Sequence, residues 1–237
     1  MTDVNLRGKV APVTGGSRGL GAACARRLAA AGADVAIAYR QSADKAAAVA
    51  TEVDAFGVRA SVFQAEGLAD AVAAQFGRID VLVNSAGVFT GGPMGSVPAA
   101  EIALLWAVNV HGMVATTERA LKHMPNGGRI INIGSVAGER AAGAGFAHYS
   151  ASKAAASMYG RSWARELGPR NITVNTVVVS YAETDMVIPQ ESDPGKRILA
   201  VLPCHRYATP DEVAAVVAFV ASPQASYMTG VDGGWNA

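Results

Sequence analysis

Short β-branched runs alternate along the chain with Ala-rich segments of helical character. Residues 9–13, 34–39, 59–64, 81–84, 129–134 and 173–179 are expected as strands, and residues 21–31, 44–56, 99–123, 151–167 and 210–221 as helices. Strand and helix in regular alternation argue a βαβ series and hence a parallel sheet. Gly32 and Gly57 fall just past two of the helices, where a left-handed cap favours glycine. Thr209-Pro210-Asp211-Glu212 reads as a helix start, with a capping hydroxyl, an early proline and acids at the positive dipole end. Pro12 interrupts the first strand, which a doubly wound sheet places centrally although proline lacks the ladder donor. The stretch 182–198, rich in Pro, Gly and charge, is expected to be a mobile loop. No repeat or low-complexity linker divides the chain. The pattern predicts a single α/β domain over residues 1–237, a Rossmann fold with a doubly wound parallel sheet flanked by helices.

Composition narrows the function classes. With 51% hydrophobic and 16% charged residues, a buried parallel sheet is readily filled. A net charge of +1, with Lys and Arg scattered, gives no reason to expect nucleic acid or an anionic membrane as partner. Cys24 and Cys204 make neither a disulfide framework nor a metal pattern, and His111, His123 and His205 lack metal-ligand spacing. No metal is expected. The first residues carry no apolar signal region, and no stretch approaches a membrane span of about 18 continuous apolar residues. The expectation is a soluble, cytoplasmic protein.

Two motifs then supply chemistry. The first strand runs into Thr14-Gly15-Gly16-Ser17-Arg18-Gly19-Leu20-Gly21 and on into an Ala-rich helix. Glycines permit a tight turn and let a pyrophosphate approach the helix N-terminus, where unpaired N–H groups and the dipole attract anions. An NAD-using chain usually places an acid at the end of the second strand for the ribose 2′-hydroxyl. Here Tyr39-Arg40-Gln41-Ser42 stands there instead. A carboxylate repels a 2′-phosphate, whereas a guanidinium grips it, and Arg18 reaches the same group. The coenzyme expected is NADP(H).

The second motif is Tyr149 and Lys153, spaced i, i+4 and so on one helix face. A free phenol has a pKa of about 10, and a neighbouring ammonium is expected to lower it toward the working range. Ser135, at the end of the apolar strand before them, stands at the crevice where open α/β sheets bind ligands. Its hydroxyl suits a carbonyl that develops negative charge.

These features, with Asn84-Ser-Ala-Gly87, Asn109, Val174-Asn175, Thr184-Asp185-Met186 and Val231-Asp-Gly-Gly234, recur in the order and rough spacing of the short-chain dehydrogenase/reductase family, which the chain resembles over essentially its whole length. The resemblance implies that Tyr149 is the general acid, Ser135 orients the carbonyl, and Lys153 binds the nicotinamide ribose while tuning Tyr149. Asn109 would hold a water linking Lys153 to solvent. Gly15, Ser17, Arg18, Gly19, Leu20, Gly21, Tyr39, Arg40 and Ser42 would border the coenzyme, as would Asn84, Ala86, Gly87 and, at the carboxamide, Thr184. It also implies a homotetramer or homodimer built through the two long helices, 99–123 and 151–167.

The chain departs from that pattern at several points. Ser85 replaces the second Asn of the usual Asn-Asn-Ala-Gly, and Val179-Ser180-Tyr181 stands where Pro-Gly is normal. Residues 64–84 leave room for only a brief helix, and the acid expected to meet the adenine is missing or displaced to Glu66. Thr229-Gly230 runs directly into Val231-Asp232, where a final strand is expected to be longer. An NADPH-dependent reductase of ketones or aldehydes is the leading reading, and a 3-oxoacyl-(acyl-carrier-protein) reductase the alternative. A halohydrin lyase would need Arg for Lys153, and a catalytically silent, NADP-sensing binding protein would typically have lost Tyr149 or Lys153. Small and apolar loop residues such as Phe89, Met94, Phe146 and Met186 suit an uncharged substrate.

Overall fold

The computed structural model describes residues 4–230. Six strands lie in the order β3-β2-β1-β4-β5-β6, every pair parallel. They are β1 (Val10–Thr14), β2 (Asp34–Tyr39), β3 (Ala60–Gln64), β4 (Val81–Asn84), β5 (Arg129–Ser135) and β6 (Thr173–Val179). The order reverses between β1 and β4, and a doubly wound sheet opens its ligand crevice at that point, beyond the carboxyl ends of the strands. The sheet is the expected one, with strand ends shifted by a residue or so.

Helices cover both faces. On one, α1 (Gly19–Ala30), α2 (Ala43–Asp54) and α8 (Pro210–Ala221) close over the sheet. Ala22, Ala25 and Ala29 of α1 and Ala214, Ala218 and Ala221 of α8 share its core, and such small side chains let helix axes approach. On the other face, α3 (Leu68–Phe76), α5 (Met113–Leu121) and α6 (Ala147–Leu167) bury Leu68, Val72, Met113, Ala156 and Trp163 against Leu82, Ile130 and Val174. The brief helix expected in the short crossover is therefore α3, nine residues long, bounded by two left-handed glycines, Gly67 and Gly77. Glu66 lies exposed just before it.

Three elements differ from expectation. The single helix expected over 99–123 is α4 (Ala99–Trp106), a π-helical segment (Ala107–Gly112) and α5. By length and apolar content this run of 23 residues could cross a membrane, which the sequence reading did not anticipate. Its inner side, however, is buried at Leu105, Val110, Met113 and Thr117, with Met113 in the core of the second face. Helix α6 starts at Ala147, so Tyr149 sits within its first turn. The expected loop 182–198 gives way to α7 (Asp193–Val201), whose cap is the Ser192 hydroxyl accepting from the Gly195 N–H at 3.1 Å, with Pro194 in the first turn. Proline, glycine and charge there are start signals of a helix rather than marks of a loop.

Pro12 is accommodated by the geometry of its seam. Val10 turns its main chain toward Asp80: its N–H donates to Asp80 Oδ2 at 3.1 Å, and its carbonyl accepts from the Asp80 N–H at 2.9 Å. Residues two apart in a strand present their main-chain groups on the same side, so Pro12 also faces β4. There the ladder pairs only Val13 with Val83 and Thr14 with Asn84. The missing donor thus falls upstream of the ladder. At the far edge, Met228 to Gly230 bond to the head of β6: Gly230 N–H donates to Val174 O at 2.8 Å, and Asn175 Nδ2 to Met228 O at 2.7 Å. The motif Val231-Asp-Gly-Gly234 lies outside the described residues.

Candidate active site

The glycine turn is a cradle that side chains would fill. Gly15 is left-handed, with φ +64°, and a Cβ there would lie 2.9 Å from Ala86 Cα. On Gly21 a Cβ would collide with the Gly15 carbonyl oxygen. Gly15 thus lets the turn meet the β4 loop, and Gly21 lets α1 begin directly beneath it. Thr14 fastens the two from below: its buried hydroxyl accepts from Ser85 N–H at 3.0 Å and from Ala86 N–H at 3.1 Å. Thr14 was not among the expected site residues, although it opens the motif. Helix α1 has no acid in its first turn, so its positive dipole end is free to take an anion. This donor set fits a dinucleotide pyrophosphate. Ser17 and Leu20 are half-buried along the same turn.

Arg18, the residue preceding α1, reaches across the crevice. Its Nη1 lies 3.3 Å from Asp185 Oδ2, with both side chains well exposed at 62% and 72%. Beside them, Thr184 Cγ2 would lie 3.3 Å from a Cβ on Gly19. The segment after β6 therefore closes over the glycine turn. At the end of β2, the Tyr39 hydroxyl accepts from Gln64 Nε2 at 3.1 Å, Arg40 is exposed, and Ser42 precedes α2 without a side-chain cap bond. Arg18 and Arg40 are the cations at this end.

Ser135, Tyr149 and Lys153 come together at the carboxyl end of β5. The Ser135 side chain lies close enough to the Tyr149 hydroxyl to pull its pKa down, and its Oγ accepts from Ala137 N–H at 3.2 Å. Lys153 Nζ donates to the Ile133 carbonyl at 2.9 Å and lies 5.9 Å from the centre of the Tyr149 ring. The turn Val136–Gly138 packs tightly on α6, since a Cβ on Gly138 would lie 2.7 Å from the Lys153 carbonyl carbon. Electrostatics here run opposite to the expectation for the phenol. Burial raises the pKa of Tyr149, and the Ser135 hydrogen bond only partly opposes it. Lys153 is depressed to about 8, again by burial. The phenol is therefore held protonated, and the lysine titrates nearest to working pH.

Two asparagines take positioning roles. Asn109, in the π-helical segment, clamps Val88 by both main-chain groups: Oδ1 accepts from Val88 N–H at 2.8 Å and Nδ2 donates to Val88 O at 3.0 Å. Nδ2 also donates to Ser152 Oγ at 3.1 Å, and Ser152 in turn donates to the Tyr149 carbonyl at 2.8 Å. Both amide donors are engaged with protein rather than offered to a water. A Cβ on Gly87 would lie 3.6 Å from both Asn109 Oδ1 and Lys153 Nζ, so the β4 loop touches both. Asn84 turns inward instead of toward the crevice, its Nδ2 donating to Thr117 Oγ1 and Asn132 Oδ1, both at 3.0 Å. It ties β4 to β5 and α5. Among the described residues no group of three or more His, Cys, Asp or Glu side chains converges. A groove of about 890 Å3 at the amino ends of the strands, between Arg7, Gly32 and Arg59, includes none of the candidate residues.

Residues 15–236 match the family pattern described as Enoyl-(Acyl carrier protein) reductase. A short chain dehydrogenase from Burkholderia cenocepacia J2315, solved in complex with NADP, superposes with a TM-score of 0.92 at 41% identity, covering 98% of this chain and 100% of that one. The chain belongs to the short-chain dehydrogenase/reductase family. Its family relatives include the cyclic-di-GMP-binding biofilm dispersal mediator protein of Escherichia coli K12, 37% identical over 97% of this chain and 98% of that protein. The cyclohexanol dehydrogenase of Rhodococcus sp. TK6 is 37% identical over 99% and 98%. The 3-oxoacyl-(acyl-carrier-protein) reductase of Vibrio cholerae is 37% identical over 96% and 95%. The names of these relatives differ in substrate and role, so family membership alone does not fix the substrate of this chain.

Proposed function

We propose that this short-chain dehydrogenase/reductase uses NADP(H) to interconvert a ketone or aldehyde with an alcohol, working chiefly as a reductase. The observation that carries the reading is the convergence of Ser135, Tyr149 and the Lys153 amine at the carboxyl end of β5, opening onto the glycine cradle. Arg18 and Arg40, with no acid at the end of β2, favour a coenzyme bearing a 2′-phosphate. When bound, that coenzyme supplies the hydride. Tyr149, kept protonated by burial, donates its phenolic proton to the carbonyl oxygen. Ser135 holds that oxygen on the line of transfer, and the nearby ammonium of Lys153 stabilises the phenolate left behind. Asn109 and Ser152 act through Val88 and the Tyr149 main chain, as positioning residues.

Replacing Tyr149 by Phe removes the proton donor and little else. Reduction is expected to fall by about 10²-fold or more, while NADPH still quenches or shifts fluorescence on binding. Retained turnover in Tyr149→Phe, measured by NADPH consumption, would refute the assignment.

A second reading, a 3-oxoacyl thioester reductase, is favoured by the similarity to the Vibrio enzyme. Against it, Arg170, a cation that could offer a carrier-protein contact, is bonded to Met124 O at 2.5 Å and Asn126 Oδ1 at 3.3 Å. It also precedes β6 by three residues, about 20 Å along the strands from Ser135. Turnover of an acetoacetyl thioester against a cyclic ketone separates the two. We also infer that copies of the chain assemble through the α4–α5 run and α6, whose outer faces carry exposed Leu104, Met158 and Tyr159.

A further inference from the structure

Above Tyr149 two loops join into one wall. The loop after β4 bonds to the loop before α6, Gly92 N–H donating to the Gly145 carbonyl at 2.9 Å. Gly91 makes the approach possible: a Cβ there would lie 2.7 Å from Gly145 O and 2.9 Å from Phe89 Cζ. The joined loops carry three rings in contact. Phe89 packs against Tyr149 with centroids 5.2 Å apart at 64°, and against Phe146 at 5.3 Å and 55°. Edge-to-face contacts of this kind put a positive ring edge on a negative face and contribute beyond burial alone.

Core packing does not account for the cluster. Phe89 remains 43% exposed although it touches the proposed acid. Charge is scarce on the wall: of residues 88–97 and 136–147, only Glu139 and Arg140 are charged, and Glu139 is paired with Arg161 at 3.5 Å. Thr90 donates to Glu101 at 2.6 Å, which draws that hydroxyl away too. What is left against the Tyr149 ring is an open aromatic edge, with the exposed Arg140 the one charge of the two loops outside the Glu139–Arg161 pair.

We propose that Phe89, buttressed by Phe146, is a specificity-determining residue, and that the substrate carries an aromatic ring attached to its carbonyl. This rests on the reductase reading above. The ring extends the edge-to-face stack of Phe89, which brings the adjoining carbonyl to Tyr149 and Ser135. The carbonyl carbon takes a hydride from the reduced coenzyme and the oxygen takes the Tyr149 proton, so an aryl ketone leaves as a benzylic secondary alcohol.

The test compares acetophenone with 2-octanone, equal in carbon count, using the full chain with saturating NADPH. Wild-type kcat/KM is expected to favour acetophenone by about tenfold, mainly through KM. Phe89→Leu and Phe146→Leu, which keep apolar bulk, are expected to lower that preference several-fold, and Phe89→Tyr to restore it. NADPH affinity, measured in parallel, reports whether each variant is folded. A wild-type preference for 2-octanone, or a ratio unchanged in folded Phe89→Leu and Phe146→Leu, overturns the proposal and leaves the reductase reading intact. Failure of the wild type to reduce either ketone or an acetoacetyl thioester takes down both.

Discussion

Lys153 shows how burial sets chemistry at a single residue. Its amine is removed from water, which disfavours the ammonium and brings the pKa from 10.5 to about 8. In the mechanism proposed above, the ammonium present below pH 8 stabilises the phenolate; above it the charge is lost. Tyr149, shifted upward, stays a proton donor throughout. For reduction, kcat/KM for NADPH, which reports groups of the free enzyme, is therefore expected to be flat near neutrality and to decline tenfold per pH unit above about 8. Alcohol oxidation needs the phenolate and is expected to want alkaline pH. Stability carries the opposite sign. Between pH 8 and 10.5 the unfolded chain binds the Lys153 proton and the folded chain does not, so unfolding becomes harder as pH rises, by at most about 3 kcal/mol. Chemical denaturation of wild type and Lys153→Met across this window checks it, since the variant lacks that increment. At the other end of the crevice, Arg18 is held only by an exposed pair with Asp185, worth at most about 1 kcal/mol. A 2′-phosphate outcompetes such a partner. Arg18→Ala is expected to weaken NADPH by about tenfold or more and NADH hardly at all, a difference that titration of the two coenzymes reads directly.

Elements succeed or fail as sequence signals according to how local their causes are. The strands of the sheet were legible because both of its faces are buried, which writes a β-branched run for each. The glycine turn was legible because only glycine fits where Gly15 meets Ala86 and Gly21 meets Gly15. The π-helical segment was not, since its cause is distant: Asn109 grips Val88, 21 residues back. Nor was the downward pull on Lys153, which is a property of the packed site, whereas a neighbouring ammonium could be read from spacing. Helix α7 was misread because Ser192 and Pro194 are start signals as well as loop residues. Pro12 looked like a conflict, and the answer again lay far along the chain in Asp80. That carboxylate caps the head of the β1–β4 seam, accepting from Val10 N–H, from Lys9 Nζ at 3.3 Å and from Arg78 Nη2 at 2.6 Å. Asp80→Ala leaves the buried Val10 donor without a partner and is expected to cost about 1–3 kcal/mol. Urea unfolding measures it. A loss below about 0.5 kcal/mol would mean the seam does not rely on that carboxylate.

At the scale of the whole molecule, the helices over the second face leave an account to settle. Only 22% of an 18-residue window of the Ala99–Leu121 run is buried, yet the run is apolar enough to be compared with a membrane span. Leu104 on α4 and Met158 and Tyr159 on α6 face outward, and Tyr159 stacks at a tilt on Trp163 with centroids 5.2 Å apart. A bilayer could cover such a run only if it left the sheet, which would expose Leu105, Val110 and Met113 and break the Asn109 clamp on Val88. A second copy covers it without disturbing anything, because a self-complementary face needs only a twofold axis. Patches of this kind on soluble chains commonly mark protein interfaces. Light scattering is therefore expected to return a mass of two or four times the 24.2 kDa protomer. Tyr159→Arg, which puts a cation in the middle of the face, is expected to shift the mass toward the protomer while NADPH binding persists. A wild-type protein that runs as a protomer at tens of micromolar, or that pellets with neutral lipid vesicles, would show that something other than its own copy covers these helices.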